Sequence, residues 1–274
     1  MSPIIKRIRL SYKKKAKQKC LFFNKPKTRK RIYINTLSAH ILKDIITSPE
    51  LEFKEGEAYS DNFFLAESFD ISDIKINNIN IDTRCIINND FNQLWIPKKP
   101  YEFGFVFDFY VAMTINIAND KAEIIGYVRH DDIKDSLKTN TDKINYYVLD
   151  SSILRPISDF EEDIIKFSNI KPKPTQYKET DHDIIKEMFT GFLDNDLSTK
   201  EKSFFHTHMT QCELCREELL YLYLFDKKIK NETHKQLFID ANAVLPVIQE
   251  TITTTKVAKE EPERVETIED FEEL

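Results

Sequence analysis

The chain has 274 residues, 41% of them apolar and 31% charged, which suffices for one medium-sized domain and a small second one. Four cysteines are too few for a disulfide framework, and no stretch reaches the roughly 18 consecutive apolar residues of a membrane helix. The net charge of −6 hides a strong polarity: residues 1–31 hold thirteen Lys or Arg and no acid, whereas Glu260 to Leu274 is mostly acidic.

The basic segment reads as a disordered arm over 1–31, with Ile4, Ile5, Ile8 and Leu10 hinting at a short amphipathic turn. Its Lys13-Lys14-Lys15 and Arg29-Lys30-Arg31 runs could lie on nucleic acid or an anionic surface, or fold back on the acidic tail. A domain over 32–168 follows. It opens with a helix from Ile32 to Thr47, on the spacing of Ile34, Leu37, Ile41 and Ile45, stopped by Ser48-Pro49. Ile74, Ile76, Ile79 and Ile81 predict a strand pair around Asn77-Asn78, continued by Cys85 to Ile87. Val111, Met113, Ile115 and Ile117 alternate as a strand, Asn119-Asp120-Lys121 turns the chain, Ala122 to Val128 returns, and Ile144 to Leu149 adds another strand. A helix from Ser158 to Phe167 closes the domain, with Ser158 and Glu161 spaced as a capping box. The expected class is α+β: a mainly antiparallel sheet with flanking helices, then a small all-α zinc-binding module.

Lys171-Pro172-Lys173-Pro174 lies in a linker over 169–179, because alternating prolines favour an extended spacer. A helical domain is expected over 180–250, then a disordered acidic tail over 251–274. Its first helix, Asp181 to Leu193, carries Ile184, Ile185, Met188, Phe189 and Phe192 at helical period, with Thr180 or Asp181 as N-cap. It stops at Asp194-Asn195-Asp196, and Ser198-Thr199-Lys200-Glu201 has the form of a capping box that starts a second helix.

That second helix leads to the most specific chemistry in the chain, His208, Cys212 and Cys215. On an unbroken helix the two cysteines fall roughly 40° and 20° to either side of His208, so all three share one face. Imidazole and thiolate in that spacing suit zinc, whose structural sites want a fourth ligand. A helical hairpin supplies His182 rather than His206, which points away from His208 on the same helix. Cys-x2-Cys also serves disulfide exchange, but that version opens a helix after a strand, and the segment before Cys212 reads as helical. The zinc is expected to be architectural, standing in for a core that so short a module cannot build.

The pattern resembles the zinc-binding anti-sigma domain of bacteria over residues 180–225. His182 takes the first ligand position, Leu197-Ser198 the inter-helix turn, and His208, Cys212 and Cys215 the remaining ligands. The resemblance implies a bacterial transcription regulator that sequesters a sigma factor. The contacts would come from Met188 and Phe192 on the first helix and Leu220, Tyr223 and Leu224 in the apolar run Leu219 to Phe225. The alternative is a zinc-stabilised interaction or scaffold module unrelated to transcription, and a third reading makes Cys212 and Cys215 a thiol sensor. Residues 32–167 resemble an uncharacterised cyanobacterial domain family through Arg31 to Leu37, Leu94-Trp95-Ile96-Pro97 and Gly126 to His130, which implies no activity.

Catalysis is not expected. No nucleophile elbow or phosphate loop occurs, and Arg129-His130-Asp131-Asp132, the one cluster with acid–base chemistry, reads as a strand end followed by an Asp helix cap. The N-terminus has no apolar core of the kind a secretory signal needs, so a cytoplasmic location is expected.

Overall fold

In a computed structural model, described over residues 3–54, 56–87, 92–133, 145–170 and 179–227, the chain divides between Lys173 and Pro174 into two compact units. Among the described residues no helix is long and apolar enough to cross a membrane.

The first unit is a mixed sheet with helices on one face and a small second sheet beyond the other. Its strands are β1 (Ile4–Arg7), β2 (Asp73–Ile76), β3 (Ile79–Ile87), β5 (Phe109–Asn116), β6 (Lys121–Arg129) and β8 (Arg155–Pro156), while β4 (Gln93–Pro97) and β7 (Tyr146–Asp150) pair separately. The order is β1-β6-β5-β3-β2, antiparallel except for the parallel β3–β5 pair. β5 occupies one edge of β6 throughout, so β1 and β8 share the other, opposite Lys121 to Ile124 and Gly126 to Tyr127 respectively. Gly126 is required there, since a Cβ would stand 2.5 Å from the Arg155 carbonyl oxygen. Asn77 and Asp120 take positive φ of 52° at the β2–β3 and β5–β6 turns, a conformation Asn and Asp tolerate better than most residues.

The alternation along β3 and β5 sorts side chains between the faces. Ile79, Ile81, Phe109, Val111, Met113 and Ile115 join the main core with Ile34, Leu37, Ile41 and Leu42 of α2 (Pro26–Lys43) and Phe160 and Ile164 of α5 (Phe160–Ile170). Within that interface a hydroxyl cluster is fully paired: Ser38 meets Ser72 and Thr83, each at 2.8 Å, so the buried oxygens are not orphaned. On the opposite face Asp82 accepts from Arg84 at 2.6 Å and from the Ser72 amide at 3.0 Å. Aromatic side chains of 103–107, in the loop before β5, pack against Phe69 and Tyr110 there.

The basic arm is not disordered. β1 completes the sheet edge, Ile8 is buried, and α1 (Leu10–Cys20) packs on α2 through Ala16 and Cys20. Lys13 pairs with Asp120 at 2.5 Å and Arg9 with Asp44 at 3.2 Å, so part of the positive charge is matched inside this unit. The helix expected from Ile32 begins earlier because Pro26 stands in its first turn, where the missing N–H costs nothing. Ser158 does not form the expected cap. It bonds Asp159, 157–159 form a 3₁₀ turn, and the Glu161 carboxylate accepts instead from the Ser48 amide at 3.3 Å and from that of Thr47. The Lys-Pro linker and the acidic tail lie outside the described residues, and of the 180–250 module only residues up to 227 lie within them.

Candidate metal centre

The second unit contains α6 (Glu179–Glu187), α7 (Phe189–Leu193), α8 (Thr199–Gln211) and a helix over 213–227, here α9. The first predicted helix is therefore interrupted by a turn at Met188. Asn195, at φ 60°, reverses the chain, and Ser198 with Glu201 makes the expected reciprocal cap. Ile185, Phe189, Phe205, Met209 and Leu219 form a small buried set, with Phe192 stacked on Phe205 at 4.7 Å.

His208 and the cysteines do not share one continuous helix. α8 ends at Gln211, Cys212 is extended (φ −106°, ψ 105°), and its amide still bonds the His208 carbonyl at 2.9 Å. Its own carbonyl accepts from Arg216 at 3.2 Å, so Cys212 closes one helix and opens the next. Cys215 stands in the first turn of α9. The Arg216 guanidinium reaches back to the Met209 carbonyl at 2.6 Å, satisfying an acceptor that the end of α8 leaves over. The Cys pair does open a helix, as disulfide-exchange motifs do, but after a helix instead of a strand.

The break brings four side chains to one point. The ligating atoms of His182, His208, Cys212 and Cys215 all lie within 4.8 Å of one another. Cys215 Sγ is 3.2 Å from His182 Nδ1 and 3.3 Å from His208 Nε2, and Cys212 Sγ is 3.5 Å from His182 Nδ1. A tetrahedral ion with metal–sulfur bonds near 2.3 Å and metal–nitrogen bonds near 2.05 Å requires N···S edges of about 3.6 Å, so these separations fit one cation with slight expansion. The imidazoles meet edge to face at 87°, with His182 Nδ1 and His208 Nε2 turned towards the sulfurs. His208, Cys212 and Cys215 are buried and His182 is half-buried, so the site is shielded from bulk water.

Without a cation this cluster is electrostatically costly. Burial, then the hydrogen bond and charge of Cys212, push the Cys215 thiol up to about 12. Burial, then the nearby His182, hold His208 below its usual range. Both shifts disfavour charge in the protein alone, and a bound divalent ion reverses the balance for the thiols.

The residues expected to meet a partner are placed differently. Leu220 is 5% exposed and belongs to the interior, Phe192 is engaged by Phe205, and Met188, Tyr223 and Leu224 are half-buried. The helix break at Cys212 resets the phase of α9, so the outward apolar residues are Leu214, Tyr221, Leu222 and Phe225, with Phe204 and Ile184 exposed on α8 and α6. Continuous helical numbering from His208 could not reveal them.

In the first unit the Arg129 to Asp132 cluster is dispersed among structural partners. Arg129 pairs with Asp163 at 2.6 Å, His130 Nδ1 lies 3.3 Å from the Tyr110 hydroxyl, and Asp132 pairs with Arg155 at 2.7 Å. Residues 130–133 are already helical, so Asp131 and Asp132 sit in the first turn and do not cap it.

The family model described as "Protein of unknown function (DUF1822)" matches residues 7–214, and the chain belongs to that family. The matched span is wider than the 32–167 segment expected from the sequence: it takes in most of the basic arm and three of the four clustered ligands. The 180–225 segment has no match to a zinc-finger or anti-sigma family. No curated protein and no solved structure matches the chain.

Proposed function

We propose that this member of the DUF1822 family holds a structural zinc ion on His182, His208, Cys212 and Cys215, and that the helical unit so stapled is a non-enzymatic protein-binding module. The carrying observation is the convergence of two nitrogens and two sulfurs, from three helices and one helix break, within 4.8 Å. Zinc is preferred because an N2S2 set suits a tetrahedral borderline-soft ion, and because four protein ligands leave no open position for substrate. Among the described residues of this unit only a few apolar side chains are buried, so a metal is the natural replacement for a larger core.

The partner proposed is a sigma factor, on the His-x3-Cys-x2-Cys resemblance together with the outward apolar row of α9. Leu214 and Tyr221 are each 65% exposed and Phe225 is 63% exposed, in a region where apolar contact with another protein would be gained. Co-expressing the full chain with each sigma factor of its host tests the reading. One sigma factor should co-purify, and Leu222→Asp with Phe225→Asp should release it while the metal stays bound. If metal is present but no sigma factor is retained, the regulatory reading falls and the metal-stapled interaction module remains.

A further inference from the structure

The hairpin of α1 and α2 ends in a surface that the fold does not use. Lys14, Lys15, Gln18, Leu21 and Phe22 are exposed while Ala16 and Cys20 face inward; steps of three, four and seven put the exposed residues on one side. At the turn after α1, Phe23 is buried and stacks on Phe63 at 4.6 Å, and Phe63 meets Phe64 edge to face at 6.0 Å. Lys19 bonds Asp61 at 3.4 Å, holding the end of α1 to the turn that leads into α3 (Phe63–Ser68). Leu21, Phe22, Phe63 and Phe64 are thus gathered at one end of the hairpin, with Phe22 71% and Phe64 52% exposed. Large apolar side chains grouped in this way on a soluble surface mark a contact site.

The surroundings select the contact. Lys14, Lys15, Lys25 and Lys27 are exposed on the same hairpin and form no ion pair among the described residues, and the segment 3–31 contains no acid at all. Within 59–68 the acids are Asp61, already paired with Lys19, and Glu67 on α3. We propose that this end of the first unit docks peripherally on an anionic lipid bilayer, with Leu21, Phe22, Phe63 and Phe64 entering the interfacial layer and the lysines lying on the headgroups. Apolar side chains at the boundary with lysines behind them match the two-signal logic of peripheral anchoring. Nucleic acid fits less well. Leu21 has no ring to stack, one face of Phe63 is taken by Phe23, and the free cations are lysines and not the forked guanidiniums that read bases.

Co-sedimentation of the full chain with vesicles tests the assignment. Phosphatidylcholine vesicles containing about 30% phosphatidylglycerol should retain the protein at about 50 mM salt and release it at about 500 mM, while pure phosphatidylcholine should not bind. Lys14→Ala with Lys15→Ala should weaken binding about 25-fold, at about fivefold per lysine. Phe22→Ala with Phe64→Ala should weaken it tenfold or more with the thermal unfolding midpoint unchanged, because both rings are exposed. The proposal is overturned by no retention on anionic vesicles at low salt, by retention indifferent to the phenylalanines, or by a dimer that Phe22→Ala dissociates. Tighter binding to RNA or duplex DNA, lost with the lysines but not with the phenylalanines, would reassign the surface and equally overturn it.

Discussion

His182→Ala removes the one ligand that α6 supplies, and its effect follows from what else holds α6. The Lys186–Glu218 pair joins α6 to α9 at 2.9 Å, but both ends are nearly half exposed, so it contributes little. Ile185, Phe189 and Phe205 supply apolar contact that the substitution leaves intact. Structural zinc contributes about 10–16 kcal/mol of apparent binding free energy in small modules; shared among four ligands this is about 3 kcal/mol each, or roughly a hundredfold in affinity. The expected outcome is one equivalent of zinc in the wild-type chain and a dissociation constant raised about a hundredfold in the variant, read by competition with a chromophoric chelator. His206→Ala, two residues from His208 and outside the cluster, should leave affinity unchanged. A wild-type chain without stoichiometric metal refutes the reasoning outright. So does a His182→Ala variant that binds like wild type while His206→Ala binds worse, since that would place the fourth ligand on α8.

Asp163 accepts hydrogen bonds from Tyr127 at 2.6 Å and Arg155 at 2.9 Å and pairs with Arg129 at 2.6 Å. Burial alone would raise its carboxyl, but the bonds from Tyr127 and Arg129 outweigh that and hold it below the usual carboxylate range. A depressed folded value means stability that is fully present above about pH 4 and shed as the pH falls through the folded value; Asp163→Asn should cost about 1–3 kcal/mol at neutral pH and flatten the acid limb of a urea-midpoint profile. Gly126→Ala should destabilise the first unit by about 2 kcal/mol or more, because the new Cβ meets backbone 2.5 Å away. Gly191→Ala should cost less than about 1 kcal/mol, since its neighbour at 2.9 Å is the movable Cδ2 of Leu197, and equal thermal shifts for the two would contradict this. Thr83→Val keeps the shape but removes the hydroxyl that Ser38, Ser72 and the Ser72 carbonyl share; the two serines keep each other and the Asn35 carbonyl, so the cost should be about 1 kcal/mol in chemical denaturation.

The local parts of the first unit could be read from the chain because their causes are local. The Asn77-Asn78 and Asn119-Asp120 turns announce themselves through residues that accept positive φ, and the isoleucine alternation on either side fixes which face is buried. The pairing of β1 with β6 could not, since Ile4 and Ile124 meet across more than a hundred residues and the strand itself is four residues long. α1 was hidden for another reason. It buries chiefly Ala16 and Cys20 beneath a shell of lysines, so its composition is that of a disordered segment although its small inward residues let it lie close on α2. The parallel β3–β5 pair was equally silent, because the chain leaves the sheet for β4 and α4 (Lys98–Glu102) before returning.

At the candidate site, chemistry was more legible than conformation. Residue type and spacing singled out four side chains that the structure brings together, because so few imidazoles and thiols are available to meet. The same spacing suggests one unbroken helix, but the backbone opens at Cys212. A continuous helix would leave Cys212 and Cys215 as two rungs of one ladder; opening the backbone at Cys212 instead lets the two sulfurs approach His182 from either side of a helix start. Gathering the four ligand atoms and continuing the helix compete at that residue. The extended Cys212 is the compromise, since its amide still closes α8 and its carbonyl already opens α9. That single conformational choice also rotates the apolar row that follows, turning Leu220 inward and Tyr221, Leu222 and Phe225 outward. The convergence of the four side chains and the outward apolar row are therefore tied to one backbone position. Driving continuous helix through Cys212 should therefore weaken metal binding and turn the following apolar row together.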